Sequence, residues 1–417
     1  MLRRLKRLTH AGKAIGPGLV TGVSDDDPSG ILTYLQAGAL LGFQALWTSL
    51  LTLPLMYGIQ EMCGRLGYVT GKGLMRLLKD RYSRRLLYPL ATLAVMVITV
   101  NIGADLLAIG VVMEHFTAVN RIFWVPLAAF GVLFALIFFS YAHFASILKW
   151  LAFSLLFYVL TVFTLEVDWQ SALQATLRPQ FAFSRETILI IAAIFGTTIS
   201  PYLFFWQASE EVAERQEQNR GRRLKRLIVT KHELKFLERD TFLGMFVSNA
   251  TMWFIIAAAS QLNGQTISGF ETAALALKPL LGEWAFLAFG LGIIGTGLLA
   301  IPILAGSIGY ALAEIFSWRE GIGRPFREAH CFYLAIIAAT LLGMALALSG
   351  LDPVALLIGT AILYALITPP IIYFILLVAN DPAVMGSRKN SWWSNLLGWL
   401  ALGAMSIAAL ASLFTFF

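Results

Sequence analysis

The chain has 417 residues, 58% of them hydrophobic and only 13% charged, with a mean hydropathy of +0.74. Soluble domains carry about 25% charged and 45–50% apolar residues, so this composition excludes a soluble protein. The net charge of +7 invites a nucleic-acid partner, but the placement of the charges argues against one.

The first residues are basic (Arg3, Arg4, Lys6, Arg7), as in the leading part of a signal peptide. Gly16-Pro17-Gly18 and three Asp come next, rather than an apolar core with a cleavage site, so an uncleaved terminus is expected. Apolar runs of about 20 residues, each able to cross a bilayer, then recur to the other end. They predict eleven helices, near 17–39, 43–64, 86–113, 122–142, 147–165, 187–207, 241–261, 284–315, 329–348, 353–378 and 393–416. No polar stretch is long enough for a separate domain, so residues 1–417 are expected to form one all-α membrane unit in a lipid bilayer. With the N-terminus cytoplasmic, every Lys and Arg except Arg121, Arg178, Arg185 and Lys278 falls on the cytoplasmic side. That bias sets orientation in an inner membrane, puts the C-terminus outside and accounts for the charge without nucleic acid. The polar loop from Glu210 to Asp240 reads as a solvated cytoplasmic loop.

Two of the apolar runs are interrupted. The first contains Ser24-Asp25-Asp26-Asp27-Pro28-Ser29-Gly30 and the sixth Gly196-Thr197-Thr198-Ile199-Ser200-Pro201-Tyr202. Proline lacks the backbone donor and clashes with the preceding turn, so each helix opens just before it. Carbonyls freed at bilayer depth need a partner within the protein or a polar cavity. The first and sixth runs also head two five-helix repeats, about 14–166 and 185–379, with an extra helix at about 393–416. Breaks at matching places in two halves point to a substrate site. The C-terminal end of a first half-helix carries partial negative charge, and with three Asp beside it the expected guest is a cation.

These residues resemble the NRAMP family of divalent-metal transporters. The resemblance rests on Gly16-Pro17-Gly18, Asp27-Pro28, Gln36-Ala37-Gly38, Val69-Thr70-Gly71-Lys72, Ala104-Asp105 and Met385-Gly386, in that order. It implies a LeuT-type fold of 5+5 inverted-repeat helices plus an eleventh, with metal bound between unwound parts of helices 1 and 6. It also implies carbonyl ligands at Ser24 and Thr197 and a carboxylate ligand at Asp27. Where manganese- and iron-handling members have Asp-Pro-Gly-Asn, this chain has Asp27-Pro28-Ser29-Gly30, so the ligand Asn is Gly30. Where they have Met-Pro-His, it has Ser200-Pro201-Tyr202, and a second family His is Gln207. In helix 3, Asp105 remains while its Glu partner is Ala108.

A thioether favours softer metals, so a hydroxyl at 200 leaves oxygen donors. The smaller Gly30 and Ser200 imply a wider cavity, suited to a partly hydrated Mg2+ ion. The chain is thus most similar to the NRAMP-related magnesium transporters (the NRMT branch), with Mn2+ also accepted. Losing both His and the helix-3 Glu removes groups suited to carry protons near neutral pH, so loose or absent proton coupling is expected. Asp26, Thr198, Tyr202, Gln207 and Asp105 are assigned to the transport path or to support of the site. The alternatives are a proton-coupled Mn2+/Fe2+ symporter of the NRAMP type and a Na+-coupled organic-solute carrier of the same fold. No HExxH, GxSxG, P-loop or His/Cys cluster supports an enzyme or a cofactor. Cys63 and Cys331 are not expected to pair. Glu61 and Arg65 read as an i,i+4 pair, Asn101, Asn249 and Tyr310 as interhelical hydrogen bonders, His143 as interfacial and Trp392 and Trp393 as interface anchors.

Overall fold

The computed structural model describes residues 16–415 except 139–155, 165–166, 180–183, 219–228, 263, 276–277 and 279–281. The first broken helix is α1 (Pro17–Val23) and α2 (Pro28–Leu41), followed by α3 (Trp47–Thr70). A short helix α4 (Leu74–Arg81) precedes α5 (Arg84–Thr117) and α6 (Arg121–Phe138). The fifth expected span and His143 lie largely outside the described residues, which there include α7 (Leu156–Val162). After α8 (Trp169–Leu177) comes the second broken helix, α9 (Arg185–Thr198) and α10 (Pro201–Gln218). The remaining long helices are α11 (Lys231–Ala259), α12 (Ala285–Phe316), α13 (His330–Ala347), α14 (Pro353–Asn380) and α15 (Trp392–Phe414).

Among the described residues eight helical spans, α9 and the greater part of α10 counted as one, are long and apolar enough to cross a membrane; α2 with its following turn and α3 pass the same test only together, bent by 107° at their junction. Three boundaries move by six residues or more, and one of them is the end of the sixth expected helix, which runs on to Gln218 as α10. α3 continues to Thr70, where Gly71 turns the chain with a left-handed φ of 66°. α11 starts ten residues before the expected 241, because Thr230 and Glu233 form a reciprocal capping box. Much of the polar loop's end is therefore helix.

Apolar faces divide the helices between lipid and core. On α6, Phe123, Leu127, Phe130, Phe134 and Phe138 recur at helical spacing and are all exposed, as a lipid-facing stripe must be. Trp392 and Trp393 are exposed at the start of α15, and Cys63 and Cys331 are unpaired. Arg65 bonds Glu61 at 2.6 Å and reaches the Arg388 carbonyl and the Asn390 side chain, so the i,i+4 pair also anchors the segment before α15. Asn249 accepts from Thr52 across the α3–α11 contact, and Tyr310 donates to Glu210. Both act as interhelical bonders.

Small residues let the inner helices touch backbone to backbone. A Cβ on Gly67 of α3 would fall onto the Ala208 carbonyl of α10, and one on Gly196 would fall onto Ala361 of α14. Overpacking of this kind costs about 1–3 kcal/mol. Gly67→Ala should therefore lower the melting temperature of the purified protein in detergent. Gly403→Ala, where a Cβ meets nothing within 4 Å, should leave it unchanged; equal melting of both variants would refute the backbone contact.

Candidate cation site at two helix breaks

α1 ends at Val23 and α2 starts at Pro28, whose ring leaves no amide to bond back into α1. In the gap, Ser24 N–H still reaches the Val20 carbonyl at 3.1 Å, and Asp27 N–H reaches the Asp25 carbonyl at 2.9 Å. Asp27 is the N-cap of α2. Its backbone is extended (φ −74°, ψ 171°), and Oδ1 accepts from Gly30 N–H at 2.7 Å. Such a cap is worth about 1 kcal/mol. Its Oδ2 accepts from the Asn101 amide of α5 at 2.8 Å. Both carboxylate oxygens are aimed by neutral donors, which leaves the charge itself uncompensated.

The second break is built with the opposite polarity. α9 ends at Thr198, with Ile199 N–H reaching the Phe195 carbonyl at 2.9 Å. The Ser200 hydroxyl donates to the Thr197 carbonyl at 2.6 Å, with the Gly196 carbonyl 2.9 Å away, and α10 begins at Pro201. Ser200 therefore covers carbonyls at the end of α9 and keeps its lone pairs as acceptors.

The two breaks adjoin. Tyr202 donates its hydroxyl to the Ser24 carbonyl at 3.3 Å, and Tyr34 of α2 and Thr198 of α9 share a hydrogen bond of 3.2 Å. A Cβ on Gly30 would stand 3.2 Å from Thr197 Oγ1 and 3.4 Å from the Asp25 carbonyl. Ser24, Asp27, Thr197 and Ser200 are each at most 3% exposed, so the space between the breaks is closed to solvent. The room left by Gly30 is taken up by the approach of α9, so the wider cavity expected from its size is not open in this arrangement.

The three aspartates do not converge. Asp25 Oδ2 and Asp26 Oδ1 both face Ser248 of α11, at 2.8 and 3.4 Å, on a different helix from the one Asp27 meets. Asp25 Oδ1 and Asp26 Oδ2 are buried without hydrogen bonds. Among the described residues no three Asp, Glu, His or Cys side chains form a metal-holding group. A cation between the breaks would therefore meet one carboxylate, with hydroxyls, carbonyls and water completing its shell. Asp105 is fully buried one turn beyond Asn101 on α5, and neither of its oxygens is hydrogen-bonded. Gln207 lies two turns below Ser200 on α10, donates to Glu211 at 2.9 Å and sits beside Gly64 of α3. It is separate from the two breaks. Sequence reasoning treats Asn101 only as an interhelical bonder and does not single out Ser248. Asn101 is within reach of such reasoning, since it stands four residues before Asp105 on the same helical face; nothing in the local pattern marks Ser248.

Residues 18–415 match the family described as "Nramp: Natural resistance-associated macrophage protein-like". Similar proteins include the divalent metal cation transporter MntH of Klebsiella pneumoniae, 25% identical over 395 residues, covering 92% of this chain and 90% of that one. The MntH of Caldanaerobacter subterraneus is 24% identical over 409 residues, covering 95% and 91%. Among solved structures, the Eremococcus coleocola manganese transporter superposes with a TM-score of 0.73 at 17% identity, over 95% of this chain and 85% of that one. Mhp1, a nucleobase-cation-symport-1 family transporter, superposes at 0.58 and 14% identity, over 96% and 92%. The likeness to both establishes the LeuT-type fold, and the match along almost the whole length shows that the chain belongs to the Nramp family.

Proposed function

We propose that this protein carries divalent metal cations across a membrane, taking Mg2+ and also Mn2+ as partly hydrated ions held between the two helix breaks. The observation that supports it most is Asp27, a buried carboxylate whose two oxygens are oriented by two neutral donors, Gly30 N–H and Asn101. On this reading Asp27 binds directly, the Ser24 and Thr197 carbonyls and the Ser200 hydroxyl supply further oxygens, and Gly30 leaves room beside them. Asp26 and Thr198 stand behind this shell. Mg2+ dehydrates reluctantly and is commonly bound through one or two carboxylates and several waters, which one Asp and neutral oxygens match. Ser200 and Tyr202 bring neither thioether nor imidazole to the second break; the sulfur near it, Met252 Sδ, lies 3.9 Å from the Thr198 hydroxyl. The magnesium-transporting branch of the family is the corresponding assignment.

Placing the N-terminus in the cytoplasm of an inner membrane, with repeats at about 14–166 and 185–379 and an added helix at about 393–416, belongs to the same proposal. So does uptake without tight proton coupling. A potential of 100 mV is worth about 2.3 kcal/mol per charge, hence about twice that for a divalent ion. The second reading, a proton-coupled Mn2+/Fe2+ symporter, is favoured by one feature: Asp105 is buried near Asp27 without a hydrogen-bond partner and remains a group able to carry a proton.

Reconstituted into liposomes with a pH dye inside, the protein should take up Mg2+ and Mn2+ with no matching acidification; acidification in step with the metal would establish the symporter instead. Asp27→Ala should reduce uptake of both ions to the level of empty liposomes, and normal uptake by that variant would remove Asp27 from the site. Ser200→Met should raise the selectivity for Mn2+ over Mg2+ by about tenfold, corresponding to about 1.4 kcal/mol. An unchanged selectivity would show that residue 200 does not touch the ion.

A further inference from the structure

The site is closed, and the element between it and the N-terminal side is α1, only seven residues long and joined to α2 by non-helical backbone. One side chain holds its far end. Asp240 of α11 accepts from Gly16 N–H at 2.8 Å through Oδ1, and from Gly18 N–H at 2.8 Å and Leu19 N–H at 3.2 Å through Oδ2. Pro17 has no amide to offer, and the N-cap Gly16 has no side chain, so Asp240 supplies from another helix the cap that α1 lacks. Gly16 also makes the approach possible, since a Cβ there would collide with the Asp240 carboxylate.

Beyond Asp240 the contact is almost side-chain-free. A Cβ on Gly18 would stand 2.6 Å from the Thr241 backbone, and a Cβ on Gly22 would fall onto the backbone of Gly244. One turn further, Ser248 meets Asp25 at the break. Positions 240, 244 and 248 thus form one stripe of α11 along which α1 lies from its start to the cation site. The stripe offers close backbone fit at Gly18 and Gly22, with the charged cap at one end and Ser248 at the other. Charge-assisted hydrogen bonds and an anion at a helix N-terminus are both stabilising. If α1 separates, water can take over the amides and the carboxylate alike, so the contact can be broken without stranding buried polar groups.

We propose that Asp240 is a positioning residue for transport: it latches the start of α1 to α11 and keeps the inner side of the site shut, and its release opens the way out. This rests on the transport reading above and on the cytoplasmic placement of the N-terminus. Asp240 does not touch the ion; it acts through α1.

The test uses the full chain carrying Cys63→Ser, Cys331→Ser and a reporter, Thr21→Cys, on the buried face of α1. Labelling by a membrane-impermeant maleimide offered from the cytoplasmic side reads how often α1 leaves the bundle, whichever cation is carried. Asp240→Asn, which replaces one acceptor with a donor facing the amides, should raise the labelling rate at least fivefold. Asp240→Glu, which keeps the carboxylate, should restore part of the protection. Gly16→Ala, whose Cβ would collide with the Asp240 carboxylate, should raise the rate as well and serves if Asp240→Asn does not fold. A control reporter at Thr340→Cys, buried in α13, should stay unlabelled throughout. Wild-type labelling of Thr21→Cys in a folded Asp240→Asn or Gly16→Ala background would overturn the latch, as would equal labelling of the Thr340→Cys control. Unaltered accessibility together with intact metal uptake would reject the latch alone, whereas a latch that behaves as described in a protein that moves no metal would reject the transport reading alone.

Discussion

Opening a helix inside an apolar bundle strands backbone groups that lipid cannot satisfy, and the arrangement of the bundle depends on how those groups are met. At the first break, Asp27 caps α2 through Gly30 N–H, while Tyr202 from the other broken helix covers the Ser24 carbonyl. At the second, Ser200 covers the Thr197 and Gly196 carbonyls. Each break is stabilised partly by its own sequence and partly by the other. In the closed arrangement each break supplies what the other lacks, so the two stand opposed.

Charge is distributed with similar economy. Asp25 and Asp26 turn to Ser248 on α11, and Asp27 turns to Asn101 on α5, so Asp27 is set on a different wall from the other two. Every hydrogen bond shown to these three acids comes from a neutral group. A buried carboxylate so placed gains most from a mobile cation, because among the described residues no guanidinium or ammonium is paired with it. The contrast with Arg65 and Glu61 is instructive. There a fixed cation and anion meet at 2.6 Å, with further bonds to Arg388 and Asn390, and the result is an anchor rather than a site.

The helices and both breaks are legible in the sequence because their causes are local. Asp27-Pro28 and Ser200-Pro201 remove an amide donor wherever they fall in a helix, and the i,i+4 spacing of Glu61 and Arg65 forces their meeting. The early start of α11 is less visible, since its charged first turns read as loop until the Thr230 and Glu233 caps are matched. What the sequence does not show is which distant side chain serves each local feature. Asn101 to Asp27, Ser248 to Asp25, and Asp240 to Gly16 and Gly18 are contacts across more than seventy positions, settled by packing rather than by pattern.

Side-chain size alone also misleads. Removing volume at position 30 suggests a larger chamber, yet α9 occupies the space, with Thr197 Oγ1 3.2 Å from where a Cβ would be. The same absence that makes room for a guest therefore allows the closed arrangement to close further. A small residue at a helix break lowers the steric cost of both states, the one with two backbones in contact and the one with an ion and its waters between them. On the proposed reading, glycine there leaves recognition to Asp27, to carbonyls and to the water the ion retains. Discrimination among hard cations then depends on how far the breaks must separate to admit a hydrated ion, and so on the contacts that hold α1 and α9 in place, as much as on the donors at the centre.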